Sequence, residues 1–412
     1  MAVYYKDNGA YVTLSNTQES GYTLWDGSAV CAGKIASVSL TDGKFVFPSN
    51  ANGLFWSCTN TIFRNISSWD TSNCTSFNSL FYDCQNLKTI DVSGFNTNKI
   101  AILDDMFGNC TSLTTITGIS NWNTSTASSS LRIFSGCSSL TSLDLSGWSF
   151  YDAHCLYGYM FSGCSSLTSL ITTPGSWHMN FHNSSIQSMF EGCSSMKSID
   201  LSFINPGDPS YTTVRTSLSS AFKNCTSLES INFGNWGNSP VEDISYAFYG
   251  CENLKTLNWT NYSWNLIRIQ HAFEGSGLTE IDFTNKNVEI RNATDAFANC
   301  PDLTTIIFPS LSYSSTATVD GMFRDCPNLE SIYVEDNTDW ISLTGSNLFT
   351  NDTKLPTWDG VTDLTRANTA RYFKGRWFPK LYSAYEKDSE NWSSANVYIK
   401  FNNVWTVVEV YV

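Results

Sequence analysis

The residues best placed to do chemistry in this chain are its cysteines. There are 13, and ten recur at a near-constant spacing: Cys58, Cys84, Cys110, Cys137, Cys164, Cys193, Cys225, Cys251, Cys300 and Cys326. Structural zinc sites use ligand pairs two to four residues apart, and no such cysteine pair occurs. A disulfide needs Cβ vectors that face each other, whereas side chains at one repeat position point the same way. Thirteen is odd, so full pairing within one chain is impossible. The spacing therefore predicts a ladder of buried free thiols, with Cys31, Cys74 and Cys155 off the pattern. The four histidines are His154, His178, His182 and His271. His178 and His182 lie four apart in HMNFH, but two ligands make a poor metal site and the segment reads as loop. No Ser-His-Asp or Cys-His set can be assembled from motif spacing. Asp104-Asp105 reads as turn capping or a solvated face, and nothing marks a cleft for a pair of glycosidase carboxylates. The Asn-x-Ser/Thr triplets, such as Asn109-Cys110-Thr111 and Asn292-Ala293-Thr294, follow from composition. The expectation is a non-enzymatic protein with no catalytic residue, metal or cofactor.

What must position such a ladder is a repeat. A phenylalanine, three residues before each ladder cysteine and twice without one (273 and 349), falls at 55, 81, 107, 134, 161, 190, 222, 248, 273, 297, 323 and 349, at intervals of 24 to 32 residues. A fixed period in this range marks a solenoid. The unit is F-x-x-C-x-x-L-x-x-I/L-x-φ, where φ is apolar. It runs Phe81, Cys84, Leu87, Ile90, Val92 in one copy, Phe107, Cys110, Leu113, Ile116 in the next, and Phe134, Cys137, Leu140, Leu143 in the third. The alternation at its end predicts a short strand with Leu, Ile and the final apolar residue inward. Lys88, Thr89, Asp91, then Thr114, Thr115, Thr117, then Thr141, Ser142, Asp144 face outward. A loop aromatic follows (Phe95, Trp148, Trp236), and one helical or 3-10 turn on the opposite face leads back to the Phe. Such a unit cannot bury its own apolar side, so stacking builds the core. The reading is an α/β repeat solenoid of eleven or twelve coils with small β-rich ends. At roughly 4.8 Å per coil it is on the order of 50 to 60 Å long. The longer intervals hold Pro/Gly excursions such as SFINPGDPSYTTV, and the pattern is lost after Phe349.

Three regions result: 1–52, a β cap or attachment domain with strands expected at GAYVTL and GKFVFP; 53–359, the solenoid; and 360–412, ending in a hairpin over Val397 to Trp405 with its turn at Asn402-Asn403. The chain has 412 residues, 42% hydrophobic and only 15% charged, so its polar surface is mostly hydroxyl and amide. A net charge of -14 argues against nucleic-acid binding. No stretch approaches the roughly 18 apolar residues of a membrane span, and the N-terminus shows no basic and apolar signal regions. Trp69, Trp122, Trp148, Trp177 and Trp236 read as core, while Trp264, Trp340 and Trp358 are expected at the surface, where such rings suit carbohydrate or protein recognition.

The tandem units resemble the BspA-type leucine-rich repeats. The best local match is LFYDCQNLKTIDVSGFNTNKI, and MFEGCSSMKSIDLSFIN is nearly as good. The resemblance covers about Gly53 to Asp359 and implies a leucine-rich-repeat solenoid. Family members are surface proteins of bacteria and some protozoa, several of them adhesins, and the resemblance carries no catalytic residue. SANVYIKFNNVWTVVEVYV resembles a short element near the ends of phage virion and tail-associated proteins. With no visible export signal, this implies a virion surface or fibre protein of a bacteriophage, located on the virion exterior. Its partners would be other virion proteins, a host surface protein or a glycan, and by analogy with fibres it would be a homotrimer. The alternatives are a secreted BspA-type adhesin on the bacterial cell surface and a purely architectural virion protein.

Overall fold

A computed structural model describes residues 2–354 apart from 10, 28–32, 39–44, 61, 64, 152–156, 179–184, 206–215, 235, 237–240, 260–261, 263, 309–310, 335–344 and 353, and also describes 397–401 and 404–408. The Leu-x-x-Ile unit forms a three- or four-residue strand in coil after coil. Thr89–Asp91 pairs in parallel with Thr115–Thr117, Ser142–Asp144 with Ser169–Ile171, and Ser198–Asp200 with Ser230–Asn232. Glu280–Asp282, Thr305–Phe308 and Ser331–Val334 make one three-stranded run. Equivalent residues oppose each other, as in Ile90 against Ile116 and Ile281 against Ile306. One face of each strand is covered, so a one-residue slip would expose the apolar set.

The strongest feature of the core is the phenylalanine spine. All twelve marker residues from Phe55 to Phe349 stack on the next, with ring centroids 5.3 to 6.2 Å apart. That is the offset-stacked spacing aromatic rings prefer. A second file joins the loop aromatics: Phe95 stacks on Trp122 and Trp122 on Trp148, each at 6.1 Å, and Trp148 on Trp177 at 6.4 Å.

The helical or 3-10 turn expected on the far face is present as single i→i−3 turns that do not run on into a helix. In each coil the residues two before and two after the Phe hold left-handed backbone, as Asp105 (φ 54) and Asn109 (φ 58) do around Phe107. Left-handed residues cannot continue a right-handed helix. Alternate amides point to the next coil instead: Asp105 N–H donates to Leu131 O, Phe107 to Ile133 O and Asn109 to Ser135 O, at 2.7 to 2.8 Å. Single i→i−3 turns remain, such as Cys110 N–H to Phe107 O. The 3-10 helices among the described residues, Ile66–Ser68 and Ile119–Asn121, lie after the strand, not at the Phe. Among the described residues no α-helix occurs.

The third corner changes along the rod. In the early coils a buried threonine bridges to the next coil: Thr71 Oγ1 accepts from Asn96 N–H at 2.7 Å and donates to Asn96 O at 3.2 Å, and Thr124 does the same with Ser149 at 2.9 and 2.8 Å. In the later coils a second parallel sheet forms. It runs Thr216–Ser217, Val241–Asp243, Asn265–Arg268, Asn287–Asn292, Leu311–Thr318.

At the N-terminus, Tyr4–Asp7 pairs antiparallel with Tyr11–Ser15 and Thr23–Leu24, and Ile35–Val38 joins Tyr11–Ser15 in parallel. GAYVTL is thus a strand. The described part of GKFVFP, Phe45 to Pro48, is not one: Val46 makes a single parallel bridge to Asp70, with Phe45 and Phe47 buried on either side of it. Asp70 N–H donates to Phe45 O and Phe47 N–H to Asp70 O, both at 2.8 Å, so coil-to-coil bonding already begins at Phe45. The C-terminal hairpin is present as expected, Val397–Phe401 antiparallel to Val404–Val408 with Phe401 opposite Val404.

Candidate interaction surfaces

The cysteine ladder is a bonding device. All ten repeat cysteines and Cys74 are buried and free, while Cys31 and Cys155 lie outside the described residues. Cys74 donates to Pro48 O at 2.9 Å. From Cys84 onward each repeat thiol donates to the carbonyl of the Phe one coil back: Cys84 to Phe55, Cys110 to Phe81, Cys137 to Phe107 and Cys164 to Phe134, at 3.0 to 3.1 Å. That carbonyl already accepts its own coil's amide, as Phe107 O does from Cys110 N–H. The cysteine thus uses the second lone pair. Burial pushes the Cys164 and Cys225 thiols up to about 12 and the Cys110, Cys137, Cys193 and Cys251 thiols well above their ordinary value. Thiols held neutral in this way are poor nucleophiles and poor metal ligands.

The other predicted repeat positions also lie inward. Phe81, Leu87, Ile90, Phe107, Leu113, Phe134, Leu140 and Leu143 are buried, and Ile116 is half-buried. Two coils depart from cysteine. Ser276 stands at that position after Phe273 and approaches Cys300 Sγ at 3.7 Å. Asp352 stands there after Phe349, fully buried, and accepts from Cys326 N–H at 2.8 Å.

The expected hydroxyl and acid rows are on the surface, with Lys88, Thr89, Asp91, Thr114, Thr115, Thr117, Thr141, Ser142 and Asp144 all exposed. Much of their bonding capacity is internal. Thr114 and Thr168 hydroxyls donate to Lys88 O and Thr141 O at 3.0 Å. Asp91, Asp144 and Asp200 each accept the amide two residues on, at 2.8 to 3.0 Å, which ends the strand in an Asx turn. The Ser93 hydroxyl and amide hold the Asp91 carboxyl below its ordinary range. Between Ser169–Ile171 and Ser198–Asp200, two strands that pair with other neighbours and not with each other, lies a cavity of about 170 Å³, with Ser169, Ser198 and Asp200 in its wall and Phe190 and Met196 beneath. It follows the 29-residue interval between Phe161 and Phe190.

On the turn face His271, Glu274 and Asp295 come within metal-ligating distance of one another. His271 Nδ1 sits 2.5 Å from Glu274 Oε2, and the ring stacks on Tyr246 at 4.5 Å. Arg324 occupies the position a cation would take: Nε lies 2.6 Å from Asp295 Oδ1 and Nη2 3.3 Å from Glu274 Oε1. The cluster is a coil-to-coil charge clamp, like the bidentate Arg132–Asp105 pair at 2.8 and 2.9 Å. Of the HMNFH pair, His178 packs against Tyr151 and His182 lies outside the described residues. Asp104 and Asp105 also serve neighbouring coils, Asp104 accepting from Ser129 Oγ and Leu131 N–H.

Tryptophan placement corrects one expectation. Trp69, Trp122, Trp148, Trp177 and Trp236 are core, as read from the repeat. Trp264 is also fully buried, because its indole N–H reaches Trp236 O at 3.3 Å and its ring packs against Trp259 and Tyr262. Trp340 and Trp358 lie outside the described residues. The sequence reading missed Trp56, which is 45% exposed. It also missed Lys286, which takes a loop-aromatic position. Lys286 is buried under the Trp259 and Trp264 rings, donates to Trp259 O at 2.6 Å, and has its pKa lowered by burial to about 8.

Two family models match. One is described as a Mycoplasma protein of unknown function and covers residues 49–148, the coils with the threonine corner. The other is the BspA type leucine rich repeat region, covering 124–258, 176–294 and 216–356. Solved structures similar to this chain include a leucine-rich repeat protein from Bacteroides ovatus, with 16% identity over 86% of this chain and 80% of that one and a TM-score of 0.38. An internalin from Listeria monocytogenes is similar at 14% identity over 68% and 83%, with a TM-score of 0.24. No curated protein matches. Since the BspA-type model alone spans more than half of the 412 residues, the chain belongs to the BspA-type leucine-rich repeat family.

Proposed function

We propose that this protein is a non-enzymatic adhesin displayed on a bacterial cell surface, offering a rigid repeat rod to a host surface protein or a glycan. The observation that carries the reading is the division of labour within each BspA-type unit. The recurring Phe, Cys, Leu and Ile positions form the interior, and the positions between them form outward rows free to differ from coil to coil. Rigid preorganised surfaces bind with little ordering cost. The family match favours this reading over the virion reading. A bacteriophage fibre, trimeric and attached to other virion proteins, is the second reading, and so is a purely architectural virion part. Both rest on the resemblance of SANVYIKFNNVWTVVEVYV to a short element of phage virion proteins.

Immunogold electron microscopy with an antibody to this chain, on intact cells and on phage particles from the source, separates them. Label on cells together with adhesion of protein-coated beads to host surfaces is the expected result. Label confined to phage heads or tails would overturn the adhesin reading.

A further inference from the structure

We propose that Trp56 and Tyr82 form a stacking platform for a neutral pyranose ring, which rests on the adhesin reading and gives it a ligand class. Both residues occupy the position immediately after the marker Phe, in successive coils. Trp69, Trp122, Trp148, Trp177, Trp236, Trp259 and Trp264 are 4% exposed or less and Trp25 is partly buried, while Trp56 is 45% exposed. Its ring meets Tyr82 edge-on, with centroids 5.9 Å apart and planes at 75°, so the two make an L-shaped cradle. The next coil has Gly108 at this position, and a Cβ there would come 2.8 Å from the Tyr82 ring. The glycine thus lets Tyr82 lie down along the coil surface instead of standing off it.

The rim supplies the hydrogen bonding a sugar needs. Asn109 Nδ2 donates to Tyr82 Oη at 3.0 Å, which leaves the phenol O–H as a donor. Asp83 accepts from Ser57 Oγ and Gln85 Nε2, both at 2.8 Å, and each carboxylate oxygen keeps a lone pair. Aromatic rings with a polar edge suit ligands that are apolar on one side and wet on the other. A pyranose with equatorial hydroxyls has that form: a flat C–H face for the indole and a ring of hydroxyls for Asp83, Asn109 and Tyr82. The left-handed backbone of Ser57, Asp83 and Asn109, at φ 52 to 60, is locked by coil-to-coil amide bonds, so the platform is preorganised. A protein partner would need a far larger contact, on the order of 800 Å² per side, than two rings and their rim provide.

The test uses the full chain with three probes, cellotriose, maltotriose and N-acetylchitotriose, read by saturation-transfer-difference NMR and calorimetric titration. The expected result is transfer to the ring C–H protons of at least one probe, with affinity at least tenfold weaker in Trp56→Ala. Gly108→Ala, which leaves Trp56 intact but displaces the Tyr82 ring, is expected to weaken it at least threefold. Unchanged circular dichroism in both variants separates loss of binding from loss of fold. Absence of transfer to all three probes, or transfer unchanged in both variants, overturns the proposal. Neither result bears on where the immunogold label falls, so failure here and failure of the adhesin reading are distinguishable.

Discussion

Replacing Asp352 should convert the last coil from pH-sensitive to pH-indifferent. Asp352 stands where the other coils have cysteine, is fully buried, and has one oxygen bonded to Cys326 N–H at 2.8 Å. Its other oxygen has no partner among the described residues. Burial, with the nearby Asp325 charge adding to it, pushes its pKa up to about 8. In the unfolded coil a value of about 3.9 applies. The folded coil therefore holds its proton more tightly, and its stability is greatest below about pH 4, falls as pH rises toward 8, and is level above that. At about 1.4 kcal/mol per pH unit, opening of this coil becomes easier by at most about 4 kcal/mol between pH 5 and pH 8. The readout is amide exchange at Phe323 and Asp325, whose N–H groups donate to Leu348 O and Thr350 O of the last coil. Their opening free energy, corrected for intrinsic rates, should fall over that range. Asp352→Asn keeps an acceptor for Cys326 and should flatten the dependence. Asp352→Cys should restore a ladder thiol facing Phe323 O and raise protection at pH 8. A wild-type opening energy that moves by less than about 0.5 kcal/mol between pH 5 and 8, or a slope that survives in Asp352→Asn, would refute the reasoning.

Further outcomes follow from the coil geometry. In native protein at pH 8, a thiol reagent should label no more than Cys31 and Cys155 quickly, because the other eleven are buried; Cys137→Ala should cost about 1–2 kcal/mol by urea unfolding, since Phe107 O keeps its amide partner. Gly147→Ala should cost about 3 kcal/mol or more by the same assay, because a Cβ there would lie 1.9 Å from Ser120 O. Thr124→Val should cost about 2–3 kcal/mol by leaving Ser149 N–H and C=O without their partner, whereas Thr117→Val on the exposed strand face should change the midpoint by less than about 0.5 kcal/mol.

Much of the fold could be read from spacing because a solenoid repeats its own physics. A Phe every 24 to 32 residues forces every ring onto its neighbour, and the parallel strands follow from the Leu-x-x-Ile alternation. The far face forms single turns and not a continuous helix for a specific reason. The residue before each cysteine is Gly, Asn or Asp in every described coil but the first, where Ser57 stands. Those are the residues that tolerate left-handed backbone, so the signal was present beside the cysteine that drew attention. The residue two before the Phe carries no such signal, since Arg132, Tyr159 and His271 sit there at positive φ. Coil-to-coil amide bonds impose that conformation against local preference. Trp264 could not be placed from its own coil, because its burial comes from Trp236, Trp259 and Tyr262. The threonine of the early coils was visible only as one of many surface-type residues, and its burial depends on an amide one coil away.

The two corner chemistries separate where the rod is stiff from where it can vary. The threonine bridge fixes one hydroxyl to one amide, so each early coil has the same corner and little room for insertion; the intervals there are 26, 26, 27 and 27 residues. The second sheet bonds by backbone alone, so its strands can lengthen from two residues at Thr216–Ser217 to eight at Leu311–Thr318 without a specific side chain. The Pro/Gly excursion SFINPGDPSYTTV lies between the two regimes, at the 32-residue interval. Recognition elements built on the early coils must therefore arise from side-chain choice on a fixed backbone, as Trp56, Tyr82 and Gly108 do, and those on the later coils can arise from strand length.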